Sequence, residues 1–220
     1  MSWRRDLSSV KVDIIQTGLQ KENCYIVSDL QKFSVIIDPG DEPEKIINYI
    51  SISSFNPVAI INTHAHFDHT GAVSVLKNKY KIPFYLHSAD RRLLQYLNFY
   101  RKLIFQGEPV EVPSADYFLD EMEELIISDF RFEIIHSPGH TKGSVCLLID
   151  NFLFTGDTLL KNNIGNLNFP ESNRNELFNS LKILATLDEK IIIYPGHGES
   201  SRLGKELANN RKLIEVINSK

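Results

Sequence analysis

Three histidines and an aspartate crowd into six residues, His64-Ala65-His66-Phe67-Asp68-His69. Imidazole is the commonest protein ligand for transition metals, and aspartate is a frequent companion. The segment directly follows the apolar run Val58-Ala59-Ile60-Ile61, which reads as a strand, so these side chains sit at its C-terminal end. Alternate residues His64 and His66 can then converge on one ion, while Asp68 and His69, on the bend, serve a second. Gly71 is expected to let the chain turn tightly into the next helix. A single histidine in such a loop would be an ordinary polar residue. His-x-His-x-Asp-His behind an apolar strand is a far more specific signal.

Three further strand ends deliver the same residue types. Residues 130–136 lead into Ser137-Pro138-Gly139-His140, residues 151–155 into Gly156-Asp157, and residues 191–194 into Pro195-Gly196-His197. The candidate ligands are therefore His64, His66, Asp68, His69, His140, Asp157 and His197. Leaving Asp157 aside, they divide into two sets: His64, His66 and His140 for one ion, and Asp68, His69 and His197 for another. Asp157 has two oxygens and is expected to bridge the two ions. Asp68 and Asp157 are the expected catalytic carboxylates. Two divalent ions are expected, zinc first, with iron and manganese suited to the same ligands. Such sites keep a position open for water, whose pKa falls to about 7 on zinc, so the expected nucleophile is a hydroxide held between the ions. His87 and His136 stand outside the set. His87 reads as a cap for the following helix and His136 as structural support.

The elements that position these residues alternate along the chain. Strands are expected at 10–15, 24–28, 33–37, 58–61, 82–86, 124–127, 130–136, 144–149, 151–155 and 191–194, on the strength of short apolar runs bounded by turn signals. Asp38-Pro39-Gly40 is one such turn. Helices are expected over 42–53, from near Thr70, over 173–187 and over 202–218. The clearest covers 88–106, with Ser88 as N-cap, Gly107 as stop, and Leu93, Leu94, Leu97, Tyr100 and Ile104 as its apolar stripe. Residues 107–117 read as loop. Strands, helices, strands and helices in succession predict an α/β sandwich with sheets inside and helices outside. The pattern repeats weakly about residue 120, within a single domain spanning 1–220.

Composition agrees with an ordinary globular enzyme. The 220 residues are 42% hydrophobic and carry a formal net charge of -4. Mild acidity and the lack of basic runs argue against nucleic acid and anionic membrane as partners and leave a small-molecule substrate. Two cysteines, Cys24 and Cys146, are too few for a disulfide framework and read as buried, reduced thiols. The N-terminus shows no signal peptide and no run is long enough to span a bilayer, so a cytoplasmic location is expected.

The motifs taken together resemble the metallo-β-lactamase superfamily. The resemblance runs through Asn23-Cys24-Tyr25, Ile37-Asp38-Pro39-Gly40, Thr63-His64-Ala65-His66-Phe67-Asp68-His69, Ser137-Pro138-Gly139-His140-Thr141, Thr155-Gly156-Asp157-Thr158 and Pro195-Gly196-His197-Gly198. It implies an αββα sandwich with the metals on one rim, and it supports the division of ligands above. Within the superfamily the chain is similar to glyoxalase II-like thioesterases, the hydroxyacylglutathione hydrolases. β-Lactamases of the cysteine-containing type carry Cys where this chain has Asp157. Full-length glyoxalase II has a C-terminal helical domain, whereas only 23 residues follow His197 here. It also usually has a basic residue after the glycine matching Gly165, where this chain has Asn166. The resemblance therefore points to the short, single-domain glyoxalase II-like group. Lys161, Asn166 and Arg174 are the candidate substrate-binding residues. The expected reaction is hydrolysis of a thioester. Alternatives on the same fold are lactone hydrolysis and persulfide dioxygenation by one iron held through His64, His140 and Asp157.

Overall fold

The computed structural model describes residues 10–105, 107–120 and 122–219. The chain opens with an antiparallel meander, β1 (Lys11–Thr17), β2 (Glu22–Ser28) and β3 (Phe33–Ile37). Helix α1 (Pro43–Ser53) then crosses to β4 (Asn56–Ile61), which lies parallel to β3. The short helix α2 (Phe67–Thr70) and α3 (Val73–Tyr80) lead to β5 (Phe84–Leu86). Helices α4 (Arg91–Gln95) and α5 (Leu97–Tyr100) precede β6 (Tyr117–Phe118), which completes a six-stranded sheet in the order β1 to β6.

The second half repeats the theme. Strands β7 (Glu124–Ile127), β8 (Phe130–His136), β9 (Val145–Ile149) and β10 (Phe152–Gly156) form an antiparallel meander. A small hairpin, β11 (Leu159–Leu160) and β12 (Asn163–Ile164), precedes α6 (Arg174–Leu184). Strand β13 (Ile192–Pro195) then pairs parallel to β10, and β14 (Ser201–Arg202) closes the second six-stranded sheet. Helices α7 (Leu203–Asn209) and α8 (Arg211–Asn218) end the described chain.

Strand alternation sorts the apolar side chains into three layers. Val27, Val35, Ile37, Ala59 and Ile61 of the first sheet face Phe132, Leu147 and Phe154 of the second, forming the inter-sheet core. Ile26, Ile36 and Ile60 point the other way and pack against Ile46, Ile50 and Leu76 of α1 and α3. Cys146, Leu153 and Ile193 pack against Leu177 and Leu181 of α6 and Leu213 and Val216 of α8. The result is the αββα sandwich expected from the sequence. No helix among the described residues is long and apolar enough to cross a membrane.

Two long helices are broken where the sequence suggested continuity. Residues 88–105 form a 3-10 turn (Ser88–Asp90), α4, α5 and a π-helical stretch (Arg101–Phe105), and residue 106 of the expected helix lies outside the described residues. The cap is His87, whose ring accepts from the Ala89 N–H at 3.2 Å, and the Ser88 hydroxyl turns instead to Asp120. Asp90 pins the start by accepting from Ala65 N, Thr141 Oγ1 and Gly143 N. The apolar stripe is buried through Leu97, but Ile104 swings out and is 41% exposed. Residues 202–218 break at Asn210, whose amide donates to the Leu160 and Asn163 carbonyls and whose Oδ1 caps Leu213 N. Gly71 is helical, at φ −63. It is small rather than flexible by need, since a Cβ there would overlap the Gly40 carbonyl.

Both cysteines are fully buried and free. Burial pushes the Cys146 thiol up to about 11 and raises Cys24 as well. The thiolate is the reactive form, and below that pKa neither group supplies much of it. Native protein at pH 8 is therefore expected to resist a thiol reagent, with two thiols appearing on denaturation. Rapid modification of the native chain would contradict this packing.

Candidate metal centre

All seven candidate ligands meet on one rim, each leaving the end of a strand. His64 and His66 follow β4, with Asp68 and His69 on α2; His140 follows β8, Asp157 follows β10 and His197 follows β13. Gly139, between β8 and His140, sits at φ +132, and a Cβ there would overlap the Leu177 backbone. Glycine thus allows α6 to press directly against the His140 loop.

Hydrogen bonds on the far side of each ring fix which nitrogen faces inward. Thr63 Oγ1 donates to Asp38 Oδ2 at 2.6 Å, so it can only accept from His64 Nδ1–H, at 3.1 Å. His64 Nε2 is left as an inward lone pair. His140 Nδ1–H donates to the Asn166 carbonyl at 2.9 Å, and His66 Nε2–H donates to Glu171 at 2.6 Å. The remaining nitrogens converge: His66 Nδ1 lies 3.1 Å from His64 Nε2 and 2.9 Å from His140 Nε2. Three lone pairs at such distances repel unless a cation sits among them.

The second set is organised by carboxylates. His69 Nδ1–H donates to Asp38 Oδ2 at 3.1 Å, leaving Nε2 facing Asp157 Oδ1 at 3.8 Å. Both of those inward atoms are buried and lack a hydrogen-bond partner among the described residues. His197 Nε2 lies 3.3 Å from Asp68 Oδ2 and 3.6 Å from Asp157 Oδ2. Asp157 Oδ2 also reaches within 3.5 Å of His140 Nε2, so its carboxylate spans both sets. Asp38 lies near His64 and His69 as well. Its oxygens are already taken by Thr63 N, Thr63 Oγ1 and His69 Nδ1, which makes it an orienting group.

The electrostatics separate the two sets. Burial and the neighbouring histidines lower His64 well below its ordinary value, and burial with His66 brings His140 down to about 4. These rings are neutral ligands at physiological pH. Burial would lower His69 too, but the hydrogen bond and charge of Asp38, with Asp68 and Asp157, raise it well above its usual range. His197 rises likewise, because Asp157 and Asp68 outweigh its burial. Burial would raise Asp68, yet His197 and His69 hold it well below the usual carboxylate range. The carboxylate-rich set thus demands positive charge at its centre. Orphaned inward donors, converging lone pairs and this demand together fit two divalent cations.

The matching family model is the metallo-β-lactamase superfamily, over residues 17–197. The chain belongs to that superfamily. It is 32% identical to the hydroxyacylglutathione hydrolase GloC of Haemophilus influenzae, over 91% of this chain and 97% of that one. Among solved structures it is similar to the B3 metallo-β-lactamase BLEG-1, with TM-score 0.86 and 35% identity over 92% of this chain and 99% of that one. It is also similar to TTHA1623 in a di-iron-bound form, with TM-score 0.82 and 33% identity over 90% and 98% of the two chains. The superfamily is one of metallo-hydrolases that bind divalent metals, and the described histidines and aspartates form groups that could hold such ions.

A cavity of about 850 Å³ opens onto His66, Asp68, Asp157 and His197. Of the candidate substrate residues, Asn166 and Arg174 line it. Asn166 turns its side-chain oxygen back to Asn168 N at 3.0 Å. Lys161 does not line it and pairs with Glu199 at 2.5 Å. His87 and His136 lie outside the ligand set and stack on each other, 4.3 Å between centroids. Sequence reasoning did not single out Lys212, Asp38 or Glu171 as site residues. Lys212 enters because the break at Asn210 starts α8 at the cavity wall.

Proposed function

We propose that this chain hydrolyses a thioester of an anionic thiol, of the hydroxyacylglutathione class, at a two-metal centre. The observation that carries the reading is Asp157, whose two oxygens reach both histidine sets while Oδ1 has no hydrogen-bond partner among the described residues. Two divalent ions, zinc foremost, would supply a hydroxide at neutral pH and stabilise charge on the acyl oxygen. Asp68 lines the cavity and is held 3.3 Å from His197 Nε2, where its carboxylate would orient the nucleophile that the metals supply. Phe169, Leu167 and Phe178 line the same cavity and keep water from the apolar part of the substrate. A thiolate leaves without a strong general acid, and none is required of this wall.

Charge on the wall supports an anionic thiol. Arg174, stacked on Phe178 at 5.4 Å, and Lys212 both line the cavity, and among the described residues neither is paired with a carboxylate. They stand in for the basic residue missing at Asn166. Glu215 lines the same wall, which suits a thiol carrying an ammonium group beside its carboxylates. Arg174→Ala or Lys212→Ala is expected to raise KM for such a thioester about tenfold, with little change in kcat, the loss of one charge-assisted hydrogen bond. An unchanged KM in both variants would remove these residues from the substrate site.

The dioxygenase alternative uses only His64, His140 and Asp157, and leaves the assembled Asp68–His69–His197 set without a role. A screen of S-lactoylglutathione, other thioesters, lactones and glutathione persulfide, run both with and without oxygen, tests the reading. Thioester turnover without oxygen is expected; turnover of the persulfide alone, with oxygen consumed, would overturn it.

A further inference from the structure

We propose that Glu171 is a positioning residue for His66 and sets how tightly the His64–His66–His140 set holds its ion; the inference rests on the two-metal reading above. Every ligand histidine has an acceptor behind it, but the acceptors differ in kind. His64 leans on the Thr63 hydroxyl, His140 on the Asn166 carbonyl and His197 on the Gln20 carbonyl, all neutral. Among the described residues, only His69 and His66 are backed by carboxylates outside the candidate ligand set, Asp38 and Glu171. Asp38 serves the set that already contains Asp68. Glu171 serves the set made of three imidazoles.

The contact is short and sheltered. His66 Nε2 and Glu171 Oε1 are 2.6 Å apart, with the two side chains only 4% and 18% exposed. The Phe169 ring packs over His66 at 4.5 Å and excludes water from one side. The same loop holds His140, through the Asn166 carbonyl and through Ser172 Oγ, which donates to the His140 carbonyl at 2.9 Å. One segment, residues 165–172, thus backs two of the three rings. A carboxylate at Nε2 holds the ring in the Nε2–H form, leaves Nδ1 as the inward donor and strengthens that donor. A loop carbonyl in its place would orient the ring without adding charge.

The test uses the full chain with Glu171→Ala and Glu171→Gln. Two readouts are needed: zinc affinity by competition with a chromophoric chelator, and the His66 ring tautomer in metal-stripped protein from long-range proton–nitrogen correlation spectra. Glu171→Ala is expected to weaken one of the two bound ions about 10- to 100-fold, the range for removing such a partner, and to mix the His66 tautomers. Glu171→Gln, whose Oε1 still accepts, is expected to restore the Nε2–H form and part of the affinity. Wild-type affinity for both ions together with an unmixed tautomer in Glu171→Ala would overturn the proposal. A wild-type chain that holds a single ion would defeat the two-metal reading instead. The tautomer spectra, taken without metal, would still decide the role of Glu171.

Discussion

Replacing Asp157 with alanine is expected to lower kcat/KM by about 10³-fold or more and to cut the bound metal from two ions per chain to one or none. The size follows from what the residue connects. Its oxygens lie 3.5–3.8 Å from His140, His69 and His197 and so reach both sets, whereas Asp38, which also lies near His64 and His69, has both oxygens taken by Thr63 and His69. Without it the paired site loses both a ligand and the negative charge that offsets two divalent ions. Losing metal-based charge stabilisation costs several kcal/mol of barrier, and each 1.36 kcal/mol is tenfold in rate. Parallel measurement of activity and metal content checks the outcome. Full activity with one ion would show that the ions do not act as a pair.

Asp38→Ala is expected to destabilise the fold by about 3–5 kcal/mol and to weaken metal binding, although Asp38 stands outside the seven candidate ligands. Its carboxylate is 1% exposed and accepts three hydrogen bonds, from Thr63 N, Thr63 Oγ1 and His69 Nδ1. Each buried donor left unpaired costs about 1–3 kcal/mol. Asp38 also sits at φ +50, a left-handed conformation that Asp and Asn tolerate better than Ala. The loss reaches His69 directly and His64 through Thr63, so both metal sets loosen. Asp38→Asn keeps the shape and one acceptor oxygen and should recover much of the stability. Urea unfolding of the metal-stripped proteins separates the structural loss from the metal contribution; equal midpoints for wild type and Asp38→Ala would refute the account of this residue.

The candidate ligands that converge on the rim were legible in the sequence because each is a chemically distinctive residue behind an apolar strand, and those strands formed where the pattern placed them. The sandwich was legible for the same reason, since Val35 and Ile37 alternate with Ile36 between two cores. The residues that orient the ligands were not. Asp38 stands in Asp38-Pro39-Gly40, which reads as an ordinary turn, and it meets Thr63 across 25 residues of chain. Glu171 meets His66 across 105. Nothing local marks either one as an orienting group, because tertiary packing alone brings them behind the imidazoles. The broken helices have a similar cause. Leu93, Leu94 and Leu97 fit one continuous stripe, but the side chain of Asp90 is committed to residues on two other loops. Asn210 likewise leaves its helix to hold the β11–β12 hairpin, and that break brings Lys212 to the cavity.

The most direct measurement is metal content per chain, by elemental analysis of active protein, titrated against anaerobic thioester hydrolysis. A two-metal hydrolase predicts that activity rises to its plateau only as the second ion is bound, with no oxygen consumed. An activity plateau already reached at one ion per chain, or no anaerobic thioester hydrolysis at any metal content, would contradict it.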